Sequence, residues 1–281
     1  MMYERARLKP TDVYWLTVVP LSALNFLFPL LAAKSEAVWL VACFGGLLIG
    51  EWNWLAVWAV LGPTAWKIRL LEVLGGMLSL CAGLLAAASV HDSIAPRDLA
   101  TTACLLPLAF IATQAPLWLL RFLFGWRIRA KHDSAGPASD DARRFDLRHI
   151  FAATAVVAVC LAAARAAGTT DWTLPGMLVG LPLVSVVTAV PCILTGMVIA
   201  DAAKANLCIA AYVFVLAGIV PAYNLLVAHG PFWEIFVPMF GFICGMSIVV
   251  HAGLRLMHAE GHRMSAPRTP RRGLETALEE G

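Results

Sequence analysis

The stretch from Trp126 to His149, WRIRAKHDSAGPASDDARRFDLRH, interrupts an otherwise apolar chain near its middle. It holds six of the 21 Lys and Arg residues, and long segments rich in Leu, Ala, Val and Trp lie on either side of it. We interpret it as a polar linker between two hydrophobic halves of the chain.

The composition argues against a soluble globular domain. The chain is 60% hydrophobic and 14% charged, with a mean hydropathy of +0.77, whereas soluble chains carry about 25% charged residues. So few charges cannot cover a water-exposed surface, which predicts lipid as the solvent for most of the chain. The seven cysteines lie singly inside apolar runs, without the spacing of a zinc site or a disulfide framework. We therefore predict no metal and no cofactor.

Hydropathy predicts an all-α bundle of eight transmembrane helices, four on each side of the linker. The predicted units are a four-helix half over 1–126, a cytoplasmic linker over 127–148, a second four-helix half over 149–258 and a disordered tail over 259–281. The spans are Val13–Ala33, Ala37–Leu61, Leu70–Val90, Leu99–Phe124, Ile150–Ala167, Pro175–Ala200, Ala205–Ala228 and Phe232–Met257.

Basic residues predict the orientation of this bundle. With alternate loops assigned to the two sides, eighteen of the 21 Lys and Arg residues fall on the side of the N-terminus. By the positive-inside rule, both termini and the linker are cytoplasmic. We expect the bilayer as the main partner, with anionic headgroups at the cytoplasmic cations. Because the basic residues are spread over loops, we expect no nucleic-acid partner; the oligomeric state stays open.

Glu51 is the sharpest candidate for a functional residue, because it lies near the middle of the second predicted span. That span is a single crossing, since either half alone would reach only about 20 Å, short of the ~30 Å hydrocarbon core. A charge at this depth costs at least about 2.5–3.5 kcal/mol, so a carboxyl persists there when it is protonated, paired or facing a polar cavity. Asn53 in the same span and Gln114 in the fourth span complete the candidate intramembrane polar site. Gln114 is expected to be an interhelical partner.

Two interpretations of Glu51 stay open at this point. In one, the carboxyl contacts a proton or a substrate. In the other, it makes a structural hydrogen bond to a neighbouring helix or lies at the membrane interface. Trp52, Trp54 and Trp58 surround it; a tryptophan cluster at this depth indicates a cavity or a bent helix that reaches the headgroups.

Other polar residues are weaker candidates. His91 and Asp92 follow the third span on the predicted outer side, where they would form an outer-face cluster. Glu72 lies three residues after Arg69, which is the spacing of an ordinary helix ion pair. A stripe of cations at the end of the eighth span is typical of a helix C-terminus. This stripe is His251, Arg255, His258 and His262.

Small residues at four-residue spacing predict close helix packing in one compact bundle. They are Gly75, Ser79, Gly83 and Ala87; Ala158, Ala162 and Ala166; Gly176 and Gly180; and Gly241 and Gly245. The two halves also end alike, with Leu120-Arg121 before Gly125-Trp126-Arg127-Ile128 and Leu254-Arg255 before Gly261-His262-Arg263-Met264. With four spans per half, any repeat would be parallel, although an Arg at a cytoplasmic helix end is expected in any case.

The segment that leads into the fifth span reads RFDLRHI over 144–150 and continues through an Ala-rich predicted helix to Arg165. This segment, Phe145–Arg165, resembles one found in uncharacterised planctomycete-type bacterial multi-pass membrane proteins, in which an aromatic residue precedes Ser-Leu-Arg-Asp-Leu. Asp146 and His149 stand where that segment has Ser and Asp. The resemblance implies a bacterial inner-membrane protein and assigns no functional residue.

The sequence carries none of the common catalytic signatures, such as HExxH, GxSxG or a Gly-rich phosphate loop. The leading hypothesis is therefore a non-enzymatic integral membrane bundle, either transporter-like or a scaffold. One alternative is a membrane-embedded enzyme that acts on a lipid-linked substrate through His91 and Asp92. Another is a sensor or assembly partner that works through the linker and the tail.

Overall fold

The computed structural model describes residues 9–32, 38–90, 96–130, 183, 185–223, 225 and 232–265, which are mainly helical. In chain order the elements are α1 (Pro10–Ala32), α2 (Val38–Leu61), α3 (Trp66–Val90), α4 (Pro96–Phe124), β1 (Arg127–Ala130), α5 (Ser185–Val198), α6 (Ala202–Tyr223), α7 (Phe232–Ala259) and β2 (His262–Ser265). The last turn of α5, Leu194–Val198, is π-helical.

Three of these helices, α2, α6 and α7, are long and apolar enough to cross a membrane. This finding agrees with the predicted lipid environment and with the prediction that Ala37–Leu61 forms one continuous helix. Eight spans are more than these three helices support. The fifth predicted span, Ile150–Ala167, lies outside the described residues.

Helix α2 lies at the centre of the described bundle. It packs against α1, α3, α4 and α7, and its contact with α7 is the most extensive in the structure. The whole segment from Glu51 to Trp58 is buried. The sequence of α2 is apolar on every side, which is the pattern of a helix surrounded by others.

Glycines bring the backbones of α2 and α7 into direct contact. A Cβ atom on Gly46 would lie 2.0 Å from the carbonyl oxygen of Phe242, and one on Gly245 would lie 2.4 Å from that of Cys43. One on Gly241 would lie 3.2 Å from a carbonyl oxygen of α2. The predicted packing of the small-residue stripe in the last span is therefore confirmed. The stripes over 158–166 and 176–180 lie outside the described residues.

A two-stranded ribbon joins the ends of α4 and α7. Strands β1 and β2 pair antiparallel, with Ile128 opposite Met264. Gly125 and Gly261, with φ of 61° and 87°, turn the chain out of the two helices, as glycine does at helix ends. The described chain is mainly helical, as predicted, and the ribbon is a small addition to it; His262–Ser265, at the start of the predicted disordered tail, form its second strand. Four-residue strands in a charged context give no periodic signal, and each needs a partner far along the chain.

The similar ends of the two halves have matching structural roles. Arg121 of α4 donates to the backbone carbonyl of Val60 at the end of α2. Arg255 of α7 donates to the carbonyls of Gly196 and Ile199 at the end of α5, at 3.4 and 2.8 Å. In both halves an arginine caps a helix, a glycine with positive φ follows, and a strand begins.

The glycine contact predicts a large difference between two otherwise equivalent substitutions. Gly46→Ala is expected to destabilise the fold by about 1–3 kcal/mol, because the added methyl group overlaps the α7 backbone. Gly218→Ala in α6 is the matched control, since nothing lies within 4 Å of its added Cβ. Thermal unfolding of the detergent-solubilised protein measures both variants. Equal unfolding temperatures would contradict the close approach of α2 and α7.

Candidate functional site

Glu51 is fully buried and hydrogen-bonded from α1. The Asn25 side-chain amide donates to Glu51 Oε2 at 2.5 Å, and the Ser22 hydroxyl donates to Oε1 at 3.5 Å, a long contact. Both partners are neutral. The carboxyl is therefore satisfied by a neighbouring helix, as one of the two interpretations expects, without a cation beside it in these contacts.

The same face of α1 meets α2 again toward the end of that helix. Trp54 Nε1 donates to Thr17 Oγ1 at 3.0 Å, and the Tyr14 and Trp58 rings lie 5.1 Å apart between centroids. Positions 14, 17, 22 and 25 recur at helical spacing, so these polar side chains lie along one side of α1.

Glu72 of α3 is a second buried carboxyl, only 3% exposed. Its Oε2 accepts hydrogen bonds from Trp58 Nε1 at 2.7 Å and from Thr64 Oγ1 at 3.3 Å. The Tyr14 hydroxyl donates to the Glu72 backbone carbonyl at 2.5 Å. Its other carboxyl oxygen, Oε1, is buried and has no hydrogen-bond partner among the described residues.

The expected helix pair between Glu72 and Arg69 takes a different form. Arg69 NH1 donates to the Gly62 carbonyl at 2.8 Å, although its charge lies within electrostatic range of Glu72. Arg69 therefore caps the end of α2, which leaves the carboxyl to neutral donors. The burial of Glu72 could not be inferred from the i, i+3 spacing.

These contacts form two hydrogen-bonded groups along one interface, one around Glu51 and one from Trp54 to Glu72, and we call them together the polar line. It runs along the interface of α1, α2 and α3, with Glu51 near one end and Glu72 near the other, over about 10 Å of α2 between positions 51 and 58. Tyr14 lies within electrostatic range of both carboxyl groups. The members of the polar line are Ser22, Asn25, Glu51, Trp54, Thr17, Tyr14, Trp58, Glu72 and Thr64.

Asn53 and Trp52 point away from the polar line. Asn53 Nδ2 donates to Thr188 Oγ1 of α5 at 3.2 Å, and Trp52 Nε1 donates to Thr113 Oγ1 of α4 at 3.0 Å. Asn53 is therefore not a partner of Glu51. The indole groups of the tryptophan cluster each bond to a different helix, so the cluster is explained by interhelical hydrogen bonds and burial rather than by headgroup contact.

The remaining predicted site residues do not join this set. Gln114 accepts a 3.4 Å hydrogen bond from Trp118 Nε1, one turn further along the same helix. Its expected interhelical partner is not seen in the described ranges. His91 and Asp92 lie outside the described residues.

The residues of the cation stripe at the end of α7 contact different neighbouring elements. His251 lies 3.2 Å from Thr195 Oγ1 of α5 through Nδ1 and 3.0 Å from Asn206 Oδ1 of α6 through Nε2. His258 Nε2 lies 3.0 Å from Arg263 NH1 in β2. Within the part of the chain that the structure describes, no group of three or more His, Cys, Asp or Glu residues is arranged to hold a metal.

Sequence reasoning missed the α1 members of the polar line. The signal was present, because Tyr14, Thr17, Ser22 and Asn25 share one face of an apolar span. The span still has a high mean hydropathy, because a few polar side chains barely lower the average, and hydropathy alone therefore did not reveal them.

Comparison with protein-family models, with curated proteins and with solved structures gives no match.

The Glu51 hydrogen bond predicts strong coupling between two positions. Asn25→Leu is expected to destabilise the protein by about 1–3 kcal/mol, because Glu51 Oε2 loses its short donor while it stays buried. Ser22→Ala, which removes only the 3.5 Å contact, is the matched control and should have a smaller effect.

A double-mutant cycle tests whether the cost arises from the unpaired carboxyl. Adding Glu51→Leu to Asn25→Leu should recover much of the lost stability, because both polar partners are then absent. Unfolding temperatures in detergent give the coupling. Additive effects of the two substitutions would count against the Asn25–Glu51 contact.

Proposed function

We propose that this protein is a transporter-like, non-enzymatic bundle of the bacterial inner membrane that moves protons through the polar line. The observation that carries the proposal is a fully buried carboxyl, Glu51, in a helix apolar enough to cross a membrane. Ionisable residues inside membrane helices are costly and generally mark ion or proton pathways.

The partners of Glu51 suit proton exchange. Asn25 and Ser22 are neutral, so a proton can bind to or leave the carboxyl without breaking an ion pair in those contacts. A carboxylic acid can donate one hydrogen bond and accept others, whereas a carboxylate only accepts. Glu51 can therefore change its protonation state while it remains bonded to α1.

The other end of the polar line offers a second exchange point. Glu72 has one carboxyl oxygen without a partner in the described residues, and such a buried oxygen can receive a proton or a water molecule. The hydroxyls of Tyr14 and Thr17 lie between the two carboxyl groups, where they donate to the backbone carbonyls of Glu72 and Tyr14, and a hydroxyl can both donate and accept. Together these groups would give a proton a route alongside α2.

The proposal includes eight spans with both termini in the cytoplasm. It is supported by the arrangement of helix ends, because the ends of α2, α4, α5 and α7 are joined at one face by arginine caps and the ribbon. These are the second, fourth, sixth and eighth predicted spans, whose ends must share one side if the spans alternate. At that face we expect cationic side chains to contact anionic headgroups.

The alternatives gain no specific support from the described residues. An enzyme acting through His91 and Asp92 would place its site outside them, and so would a sensor that works through residues 131–148. The transporter hypothesis is preferred because buried polar groups lined up along one helix interface are costly in lipid unless they have a role.

Proton flux into proteoliposomes tests the proposal directly. Purified protein is reconstituted with a pH-sensitive dye inside the vesicles, and flux is followed after a pH jump. We expect Glu51→Gln to reduce flux by about tenfold or more, because the amide cannot exchange a proton. Glu72→Gln should also reduce it.

Glu234→Gln is the matched control, because Glu234 is an exposed residue in the first turn of α7. It should retain the wild-type flux. Thermal unfolding of Glu51→Gln shows whether a loss of flux reflects a loss of fold. Flux and stability both unchanged in Glu51→Gln would rule out the carboxyl as a proton site, and wild-type flux equal to that of empty vesicles would reject the transport function.

A further inference from the structure

Three arginines from three elements lie near the end of α2. Arg69 of α3 and Arg121 of α4 donate to the carbonyls of Gly62 and Val60. These carbonyls belong to residues two positions apart, so their Cα atoms are at most about 7 Å from each other. Arg127 of β1 lies within electrostatic range of both other guanidinium groups. We call this set the arginine cluster.

Capping of α2 uses only part of the arginine cluster. A guanidinium group has five N–H donors, and the bonds to α2 use NH1 of Arg69 and NH1 of Arg121. The Nε and NH2 groups of these two arginines have no hydrogen-bond acceptor among the described residues. Donors therefore remain for a ligand after the helix end has been satisfied.

The guanidinium group of Arg121 is held in place by two contacts and has two like charges near it. It lies 5.2 Å from the centre of the Trp118 ring, a cation–π contact, while its NH1 contacts Val60. Arg69 and Arg127 both lie within electrostatic range of it. Glu72 offsets part of this charge at Arg69, but three like charges in a half-buried setting still repel one another, so an anion bound near them would be favoured.

We propose that Arg69, Arg121 and Arg127 bind the phosphate group of an anionic ligand at this face of the bundle. Guanidinium groups bind phosphate through paired, charge-assisted hydrogen bonds, and the bonds to α2 orient two of them in advance. A lipid headgroup and a soluble phosphate compound share this chemistry. The site goes beyond general headgroup attraction, because it names three residues and requires saturable binding. It does not depend on proton movement along the polar line.

A capping role alone would make Arg121 equivalent to Arg255. Arg255 caps the end of α5 through the carbonyls of Gly196 and Ile199, but it lies in the other half of the chain. Arg255→Gln is therefore a control that loses a cap and a charge at the same time. Arg121→Gln also loses a cap and a charge, and it differs from Arg255→Gln only in that it removes a residue of the proposed phosphate site.

Isothermal titration calorimetry of the full chain in detergent, at fixed ionic strength, measures binding. The probes are sodium phosphate and dihexanoyl phosphatidic acid, with dihexanoyl phosphatidylcholine as a neutral comparison. We expect saturable binding of at least one of the two anions. Arg121→Gln should weaken it by about tenfold or more, and Arg255→Gln should change it by less than about twofold.

The two anionic probes distinguish the sources of the phosphate. Saturable binding of phosphatidic acid alone identifies a lipid headgroup, and saturable binding of inorganic phosphate identifies a soluble ligand; either result supports the site. Absence of saturable binding for both, or equal weakening in Arg121→Gln and Arg255→Gln, overturns it. If Arg121→Gln fails to fold, Arg121→Lys and Arg69→Gln provide the same comparison, since lysine keeps the charge and loses the planar fork.

Discussion

Polar groups inside a membrane bundle must find partners within the protein, and this constraint determines how the helices around α2 are arranged. The segment from Glu51 to Trp58 carries a carboxyl, an amide and three indole N–H groups, all buried. These five groups bond to four neighbouring helices: Glu51 and Trp54 to α1, Trp52 to α4, Asn53 to α5 and Trp58 to α3. Because an unpaired polar group in hydrocarbon costs several kcal/mol, these bonds hold four helices in register around α2.

Helix α7 covers the part of α2 that carries few polar groups. Here the contact depends on glycine, since Gly46 and Gly245 let two backbones touch. Without a hydrophobic driving force between helices in lipid, such close packing is a main source of attraction. Helix α2 thus has two kinds of interface, one made by directional hydrogen bonds and one made by backbone contact. The polar line lies in the hydrogen-bonded interface, where a change in the protonation of Glu51 or Glu72 would alter the contacts made with α1 and α3.

One face of the bundle gathers the arginine caps and the ribbon. Arg121 and Arg255 satisfy carbonyls at the ends of α2 and α5, which is where a helix dipole favours positive charge. The ribbon then ties the ends of α4 and α7 together. Structural capping explains why arginines occur here, and the unused donors of Arg69 and Arg121 give the same residues a capacity to bind phosphate. The arginine cluster lies beside Glu72, so both proposed sites meet at the end of the polar line.

Composition and hydropathy alone were enough to predict a helical membrane protein, because the solvent of each segment is a local property of its residues. The continuous helix over Ala37–Leu61 was predicted from its length and is confirmed as α2, whereas the depth of Glu51 in a bilayer stays a prediction. What Glu51 touches was decided by tertiary structure, since Asn25 comes from another helix and Gln114 bonds within its own. The burial of Glu72 and the pairing of Arg127–Ala130 with His262–Ser265 could not be predicted from the sequence either. Such contacts depend on the rotation and register of whole helices, which a single sequence does not encode in any local pattern.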